Sequence, residues 1–483
     1  MPSYQPVIGL EVHAQLATST KMFCSCKLEF GSTPNTNVCP VCLGMPGTLP
    51  VPNRKAVELA VKLGLALNCE IDHEAMWTRK NYFYPDLPKG YQITQTGGIP
   101  VYDRPICKSG YLDIDLDDGS VKRIHINRIH MEEDAGKLIH DLGVDNSHFD
   151  ANRCGTPLCE IVTEPDLRSP QEAYKYLEKL KQILEYTEVC DANMERGNLR
   201  CDANVSIRES ESAPLGIRAE IKNLNSFHNV EKAIQSEIEL QTVTLDSGLS
   251  VQQTTKRFDP NTLKTSVIRS KEDAHDYRYF PEPDMVRLQV SAEDIQRIGE
   301  SLPELPQARR QRFVSDYNLS DYDAQVLVSE KPVSDYFDRV AQKVSNRKMA
   351  ANWICSELLR QVKDLNGGIG ESPISSDHLA KMINLIDDGT ISGKIGKTVF
   401  AEMWQSGKDP QVIIKEKNLV QITDDSAIES IILEIMNKNP AQVAEFQSGK
   451  IQVKGFFVGQ VMKASQGKAN PAVVNQLLDK LLA

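Results

Sequence analysis

Val7–Leu16 reads VIGLEVHAQL. At a period of two, Ile8, Leu10, Val12, Ala14 and Leu16 share one face, and Gly9, Glu11, His13 and Gln15 share the other. This is the pattern of a strand with one buried and one wet face, as in an antiparallel sheet covered on a single side. The wet face carries a carboxylate and an imidazole about 7 Å apart along the strand, a pair suited to a divalent cation. A plain solvated strand face is the alternative on this stretch alone. The device then repeats. Arg200–Arg208, RCDANVSIR, sets Cys201, Ala203, Val205 and Ile207 against Arg200, Asp202, Asn204, Ser206 and Arg208. Arg218–Lys222, RAEIK, sets Ala219 and Ile221 against Arg218, Glu220 and Lys222. Acids, amides and cations interleaved on three strands exceed what solubility asks. They predict a sheet whose polar face floors an active-site cradle, with carboxylates for metal and cations for phosphate.

A chain of 483 residues predicts two to four domains and ample core. The first segment does not read as a signal peptide, because Pro2, Tyr4, Gln5 and Pro6 lead straight into the strand. No apolar run has the length of a membrane span. Eleven cysteines without a leader point to a reducing compartment and to metal binding or burial over disulfides. The expected location is therefore cytoplasmic, or an organelle stroma or matrix if a leader has been removed. A net charge of −11 argues against a basic coat, yet local patches, not totals, set phosphate contacts.

Cys24, Cys26, Cys39 and Cys42 follow the pattern C-x-C-x12-C-x-x-C across a turn-rich spacer holding Gly31, Pro34, Asn35 and Asn37. The CPVCLG half resembles a zinc knuckle spanning 24–42, with unligated surface cysteines as the alternative. Four protein thiolates would close the coordination shell, making the ion a staple and not a catalyst. Asn53–Leu67 reads as a helix capped by Asn53. Ser169-Pro170-Gln171-Glu172 opens another with a capping box and proline at its first position. Between them Arg79–Gln95, RKNYFYPDLPKGYQITQ, is a polar loop crowded with aromatics, suited to nucleotide or ribose contacts or pinned simply by its rings. Glu160 lies within Leu158-Cys159-Glu160-Ile161-Val162, where a lone carboxylate is costly unless paired or coordinated. Glu133 lies in the acidic run Glu132-Glu133-Asp134, which also reads as an ordinary surface cluster. There is no P-loop, no strand-coupled G-x-G-x-x-G and no G-x-S-x-G.

In order, VIGLEVHAQL, RKNYFYPDLPKGYQITQ, IHMEEDAGK (Ile129–Lys137), GTPLCEIVTEPDLRSP (Gly155–Pro170), LRCDANVSIR, EIKNLNSF (Glu220–Phe227) and DYRYFPEPD (Asp276–Asp284) resemble the GatB family, the B-type components of aspartyl/glutamyl-tRNA amidotransferases. The resemblance runs to the C-terminus and implies a reaction. ATP and Mg²⁺ phosphorylate the side-chain carboxylate of glutamate or aspartate misacylated on tRNA. Ammonia then displaces the phosphate to give Gln-tRNA(Gln) or Asn-tRNA(Asn). The resemblance also implies a heterotrimer, in which an amidase partner (GatA) supplies the ammonia and a small third partner (GatC) completes the complex. On this reading Glu11, His13, Glu133 and Glu160 are the matching magnesium candidates, with Glu132, Asp134 and Asp202 behind them. Lys80, Arg200, Lys222 and Lys89 are favoured for phosphate, with Arg218 behind. A structural Zn²⁺ would sit on the four cysteines; some family members lack them, so it is not required for the chemistry. A non-catalytic tRNA-binding scaffold is the second reading, and a zinc-dependent hydrolase the third.

The expected architecture is α+β: a cradle domain on a largely antiparallel sheet (1–293), a helical bundle (294–408) and a small all-α tail (409–483). Asp388–Phe400, DGTISGKIGKTVF, places Lys394 and Lys397 among glycines, as RNA contacts or as a capped helix–turn. From Ala441 onward Lys450, Lys454, Lys463, Lys468 and Lys480 face only Glu445 and Asp479. That basic end suits the phosphates of folded RNA; a solvated helix surface is the alternative.

Overall fold

The structure is a computed structural model. It describes residues 4–98, 100–140, 146–270, 277–365, 367–420, 424–448, 450–465 and 468–482. Pro2, Asp276 and Ala483 lie outside these residues. The chain divides into two compact units, 1–306 and 307–483.

The first unit is built on one sheet of twelve strands. Its main strands are β1 (Gln5–Gln15), β2 (Thr78–Asn81), β3 (Tyr91–Thr94), β4 (Cys107–Asp115), β5 (Val121–Glu133), β6 (Pro157–Thr163), β7 (Leu199–Arg208), β8 (Ala219–Leu224), β9 (Thr254–Asp259) and β10 (Lys264–Ser270). Their order is β10-β9-β8-β7-β1-β6-β5-β3-β2, continued by Phe280–Pro281, with β4 paired to β5 and Glu70–Ile71 paired to β4. Among the described residues only β8 and β9 run parallel in this sheet. The connection between them is the helix α3 (Phe227–Asp246), the crossover that a parallel pair requires. Strand β1 lies mid-sheet between β7 and β6, so its phase sets the phase of its neighbours.

On the apolar face Ile8, Leu10, Val12 and Ala14 are fully buried. They share a core with α1 (Arg54–Ala66), α2 (Pro170–Tyr186) and α3. Asn53 caps α1 by accepting from the amides of Lys55 and Ala56, and Ser169 caps α2 by accepting from Glu172 N–H. Glu172 returns the bond by accepting from Arg168 N–H at 2.7 Å. Gly64 lets α1 approach the sheet closely: a Cβ there would lie 2.4 Å from Cys107 Sγ and 2.8 Å from Ile71 Cδ1. Helix α4 (Ala292–Glu300) also belongs here, through buried Ile298 and the Arg297–Glu58 pair.

The second unit is helical: α5 (Pro306–Tyr317), α6 (Asp321–Val328), α7 (Lys331–Ala341), α8 (Arg347–Trp353), α9 (Leu359–Val362), α10 (Ser376–Asp387), α11 (Gly393–Ser406), α12 (Pro410–Glu416), α13 (Asp425–Lys438), α14 (Pro440–Gln447), α15 (Lys454–Ala464) and α16 (Pro471–Leu482). A π-helical turn, Ile354–Leu358, joins α8 to α9 where the spacing predicts one regular helix over 349–362. Two separate cores serve these helices. One contains Phe313, Phe337, Leu379 and Met403; the other contains Ile432, Phe457, Val461 and Leu478. Among the described residues no helix is long and apolar enough to cross a membrane.

Candidate active site

The sheet face opposite the apolar face of β1 carries polar residues from β2 to β9, several of them buried, His130, Glu132 and Asp202 among them. Register places His13 opposite Glu160 on β6 and Arg200 on β7, while Glu11 stands opposite Asp202 and Val162. On β5, His130 faces Glu160; Glu132 follows in phase and faces Thr94 of β3. Lys80 of β2 pairs with Gln92 in the same phase. On the other flank Glu220 of β8 accepts from Thr255 Oγ1 of β9 at 3.0 Å.

Two clusters of metal-binding side chains emerge on this floor. His13 Nε2 lies 3.4 Å from Glu132 Oε1 and 3.3 Å from Glu160 Oε2. Glu11, Asp202 and Glu220 form the second, each offering an oxygen within 4.8 Å of the others. The electrostatics reflect the crowding. Burial disfavours the charged imidazole of His13, but Glu132 and Glu160 outweigh it and raise the pKa to about 10. Burial opposes ionisation of Glu132 too, yet His13 and His130 hold it down at about 2. Glu160 is driven well below the ordinary range against its own burial, first by His130 and then by His13. Glu11 moves the other way, raised by burial and by the charges of Glu160 and Glu220. The first group offers two carboxylates and an imidazole, the second three carboxylates; carboxylate oxygens are the donors Mg²⁺ takes, and His13 would join them only as the neutral ring.

Cations border these acids. Lys222 Nζ lies 3.0 Å from Asp202 and 2.8 Å from Glu220, and Arg200 Nη2 lies 2.9 Å from Asp134 Oδ2. Lys80 has no ion-pair partner within 4 Å among the described residues. Its Nζ faces the rings of Tyr277 at 4.9 Å and Tyr82 at 5.9 Å. Burial pulls its pKa down, but Glu132, Glu160 and the neighbouring tyrosines leave it raised overall. Arg218 is exposed just before β8.

Glu133 takes the opposite phase from Glu132 and does not join either cluster. Its carboxylate accepts from Lys89 Nζ and from Ile93 N–H at 3.0 Å, with both side chains of the ion pair nearly buried. The four expected magnesium residues are thus regrouped: His13 and Glu160 stand with Glu132, Glu11 with Asp202 and Glu220, and Glu133 apart. Lys89, expected to meet phosphate, has its charge engaged by Glu133. The pair lines a cleft with Lys21, Cys42, Met45 and Gly155. One wall of that cleft is the cysteine module. Cys24, Cys26, Cys39 and Cys42 bring their sulfurs within 4.8 Å of one another, and Cys39 N–H points to Cys42 Sγ at 3.2 Å, as in a knuckle. Fully buried Lys21 donates to the same sulfur at 3.5 Å. A hydrogen bond from Cys24, and the Lys21 charge, lower the Cys42 pKa. Four thiolates with a compensating cation fit a tetrahedral soft metal.

A sequence model described as the GatB/GatE catalytic domain matches residues 6–296, and one described as the GatB domain matches 335–482. The chain belongs to the GatB/GatE family. It is 55% identical over 484 residues to a protein of Geobacter sulfurreducens named as the B-type component of aspartyl/glutamyl-tRNA(Asn/Gln) amidotransferase, covering 99% of each chain. Proteins of the same name from Syntrophotalea carbinolica (54%, covering 99% of this chain and 98% of the other) and Persephonella marina (52%, 99% of each) are similar throughout. The whole polar floor therefore lies within the stretch matched by the GatB/GatE catalytic domain. Three of its residues carry no role in the sequence pattern or only a minor one: Glu132, Glu220 and His130. The usable signal was strand phase. Arg128, His130 and Glu132 alternate on one side of β5, and only that set can share a face with Glu160.

Proposed function

We propose that this GatB-family chain is the kinase and transamidase component of a tRNA-dependent amidotransferase. It activates the side-chain carboxylate of Glu-tRNA(Gln) or Asp-tRNA(Asn) with ATP and amidates it with ammonia from a partner amidase, in a complex completed by a small third partner. The observation that carries the reading is the pairing of two acid clusters with Lys80, Arg200 and Lys222 on one continuous floor. A carboxylate is a poor electrophile because oxide would have to leave; transfer of a phosphoryl group to it supplies a leaving group. That transfer asks a protein mainly for positioning and charge.

His13, Glu132 and Glu160 would hold one Mg²⁺, and Glu11, Asp202 and Glu220 a second. Bound there, magnesium neutralises phosphate oxygens that would otherwise repel the attacking carboxylate. Lys80, lacking a carboxylate partner among the described residues, is placed to meet the transferring phosphoryl group, and Lys222 and Arg200 to screen the remaining charge. The cleft walled by the cysteine module ends at Lys89 and Glu133, behind the floor. Zn²⁺ on the four cysteines would brace that wall. Lys463, Lys468 and Lys480 have no ionic partner among the described residues, whereas Lys454 and Lys450 pair with Asp479 and Glu445. The three lysines without such a partner suit tRNA phosphates.

The test supplies ammonium chloride in place of glutamine to the assembled complex, so that only this chain's chemistry is read. With misacylated tRNA, ATP and Mg²⁺, Glu160→Gln should lower amide formation about a hundredfold or more while tRNA affinity stays near that of the parent. Full activity in Glu160→Gln and in Glu132→Gln would leave the scaffold reading standing instead.

A further inference from the structure

His130 is fully buried and stands opposite Glu160 across the β5–β6 ladder. Its Nε2 lies 3.3 Å from Glu160 Oε2 and 3.8 Å from Glu132 Oε2. Neither Nδ1 nor Nε2 makes a well-directed hydrogen bond among the described residues, so Nε2 meets Glu160 as a close charged contact at 3.3 Å. Burying an imidazole this way is unfavourable unless the ring is used. It is not one of the three donors that converge, His13, Glu132 and Glu160; it stands behind two of them. The groups in reach of Nε2 are carboxylate oxygens, which only accept, so that nitrogen carries hydrogen and Nδ1 is bare in the neutral ring.

We propose that His130 is a positioning residue for cation binding. Its Nε2 edge, 3.3 Å from Glu160 Oε2, attracts the Glu160 carboxylate and keeps it in the orientation that presents an oxygen beside Glu132 and His13. Two acids facing each other at this range repel and would rotate apart; a rigid donor on a buried strand prevents it. Outer donors of this kind orient the ligands of metal sites and tune their strength. The inference rests on the proposed role of the His13 cluster as a cation site.

Mn²⁺ is the probe, followed by the electron paramagnetic resonance signal of the unbound ion. The full-length chain carries Glu11→Gln, so that one cluster is read. His130→Leu, which has no donor, should weaken Mn²⁺ binding about 10- to 100-fold. His130→Gln, whose amide still donates, should recover most of that loss, which a merely space-filling role would not predict. Adding His130→Leu to Glu160→Gln should cost little more than Glu160→Gln alone, because the effect runs through Glu160. Circular dichroism checks the fold, and His130→Met replaces His130→Leu if the latter does not fold. Unchanged affinity without the donor, no recovery by Gln, or a full additional loss in the Glu160→Gln background overturns the proposal. Absence of Mn²⁺ binding in the Glu11→Gln parent overturns the cation-site reading itself, a different result from any of these.

Discussion

At the scale of single residues, the Lys89–Glu133 pair shows how a buried charge is kept. Glu133 accepts from Lys89 and from Ile93 N–H, and its own carbonyl accepts from Gln92 Nε2 at 2.7 Å. Removing one member leaves an uncompensated charge in a nearly dry place. Lys89→Met should therefore destabilise the first unit by about 3–5 kcal/mol, read by urea unfolding. A loss below about 1 kcal/mol would mean that water reaches the carboxylate. The cysteines separate in the same way. Burial pushes the thiols of Cys69, Cys154 and Cys190 up to about 12, so each stays protonated until the pH approaches that value. Cys42 is lowered by Cys24 and Lys21 and is thiolate well below the ordinary thiol range. Since only thiolate reacts, iodoacetamide at pH 7 should modify the 24–42 module first after chelation, with mass spectrometry locating the label. Labelling of Cys69 or Cys190 at a matching rate in folded protein would contradict this.

At the scale of elements, the alternation in VIGLEVHAQL gives β1 its faces, and the capping residues give α1 and α2 their starts. Glu132 against Glu133 shows the limit. A period of two says that adjacent residues face opposite ways, but not which of the pair faces the cradle. That depends on the register of β5 against β6, set by long-range pairing that no local pattern encodes. Glu220 joins Glu11 only because β8 lies two strands from β1, again a matter of topology. The π-helical turn at Ile354–Leu358 escapes periodicity because one inserted residue shifts the phase without changing composition. Helix α1 offers a test of packing against propensity. Gly64→Ala should raise helix propensity by up to about 1 kcal/mol, yet its Cβ would meet Cys107 Sγ at 2.4 Å. Net destabilisation of about 1–3 kcal/mol is expected from overpacking. A rise in melting temperature would show that β4 yields more easily than its buried position implies.

At the scale of the whole molecule, every residue of both acid clusters belongs to the unit 1–306, and that unit has its own core. Cation binding should therefore survive removal of the second unit. Where the cut is made matters. Sequence spacing marks a change from strand-like to helical pattern near 293, because periodicity registers only the kind of element and not what it packs against. Helix α4 is helical, yet Ile298 joins the core of the sheet domain, Leu302 and Leu305 pack against that core, and Arg297 reaches Glu58 on α1. A fragment ending at 306 keeps all of these contacts, whereas one ending at 293 exposes the surface beneath them. Burying a side chain such as isoleucine or leucine contributes about 1.5–3 kcal/mol each, so the shorter fragment should lose several kcal/mol. Expressed separately, 1–306 should unfold cooperatively in urea and bind Mn²⁺ with the affinity of the full chain. The fragment 1–293 should unfold at clearly lower urea or fail to accumulate in soluble form. Equal stability of the two would mean that α4 only rests on the sheet domain, and loss of Mn²⁺ binding by a folded 1–306 would mean that the acid clusters need the helical unit to hold their geometry.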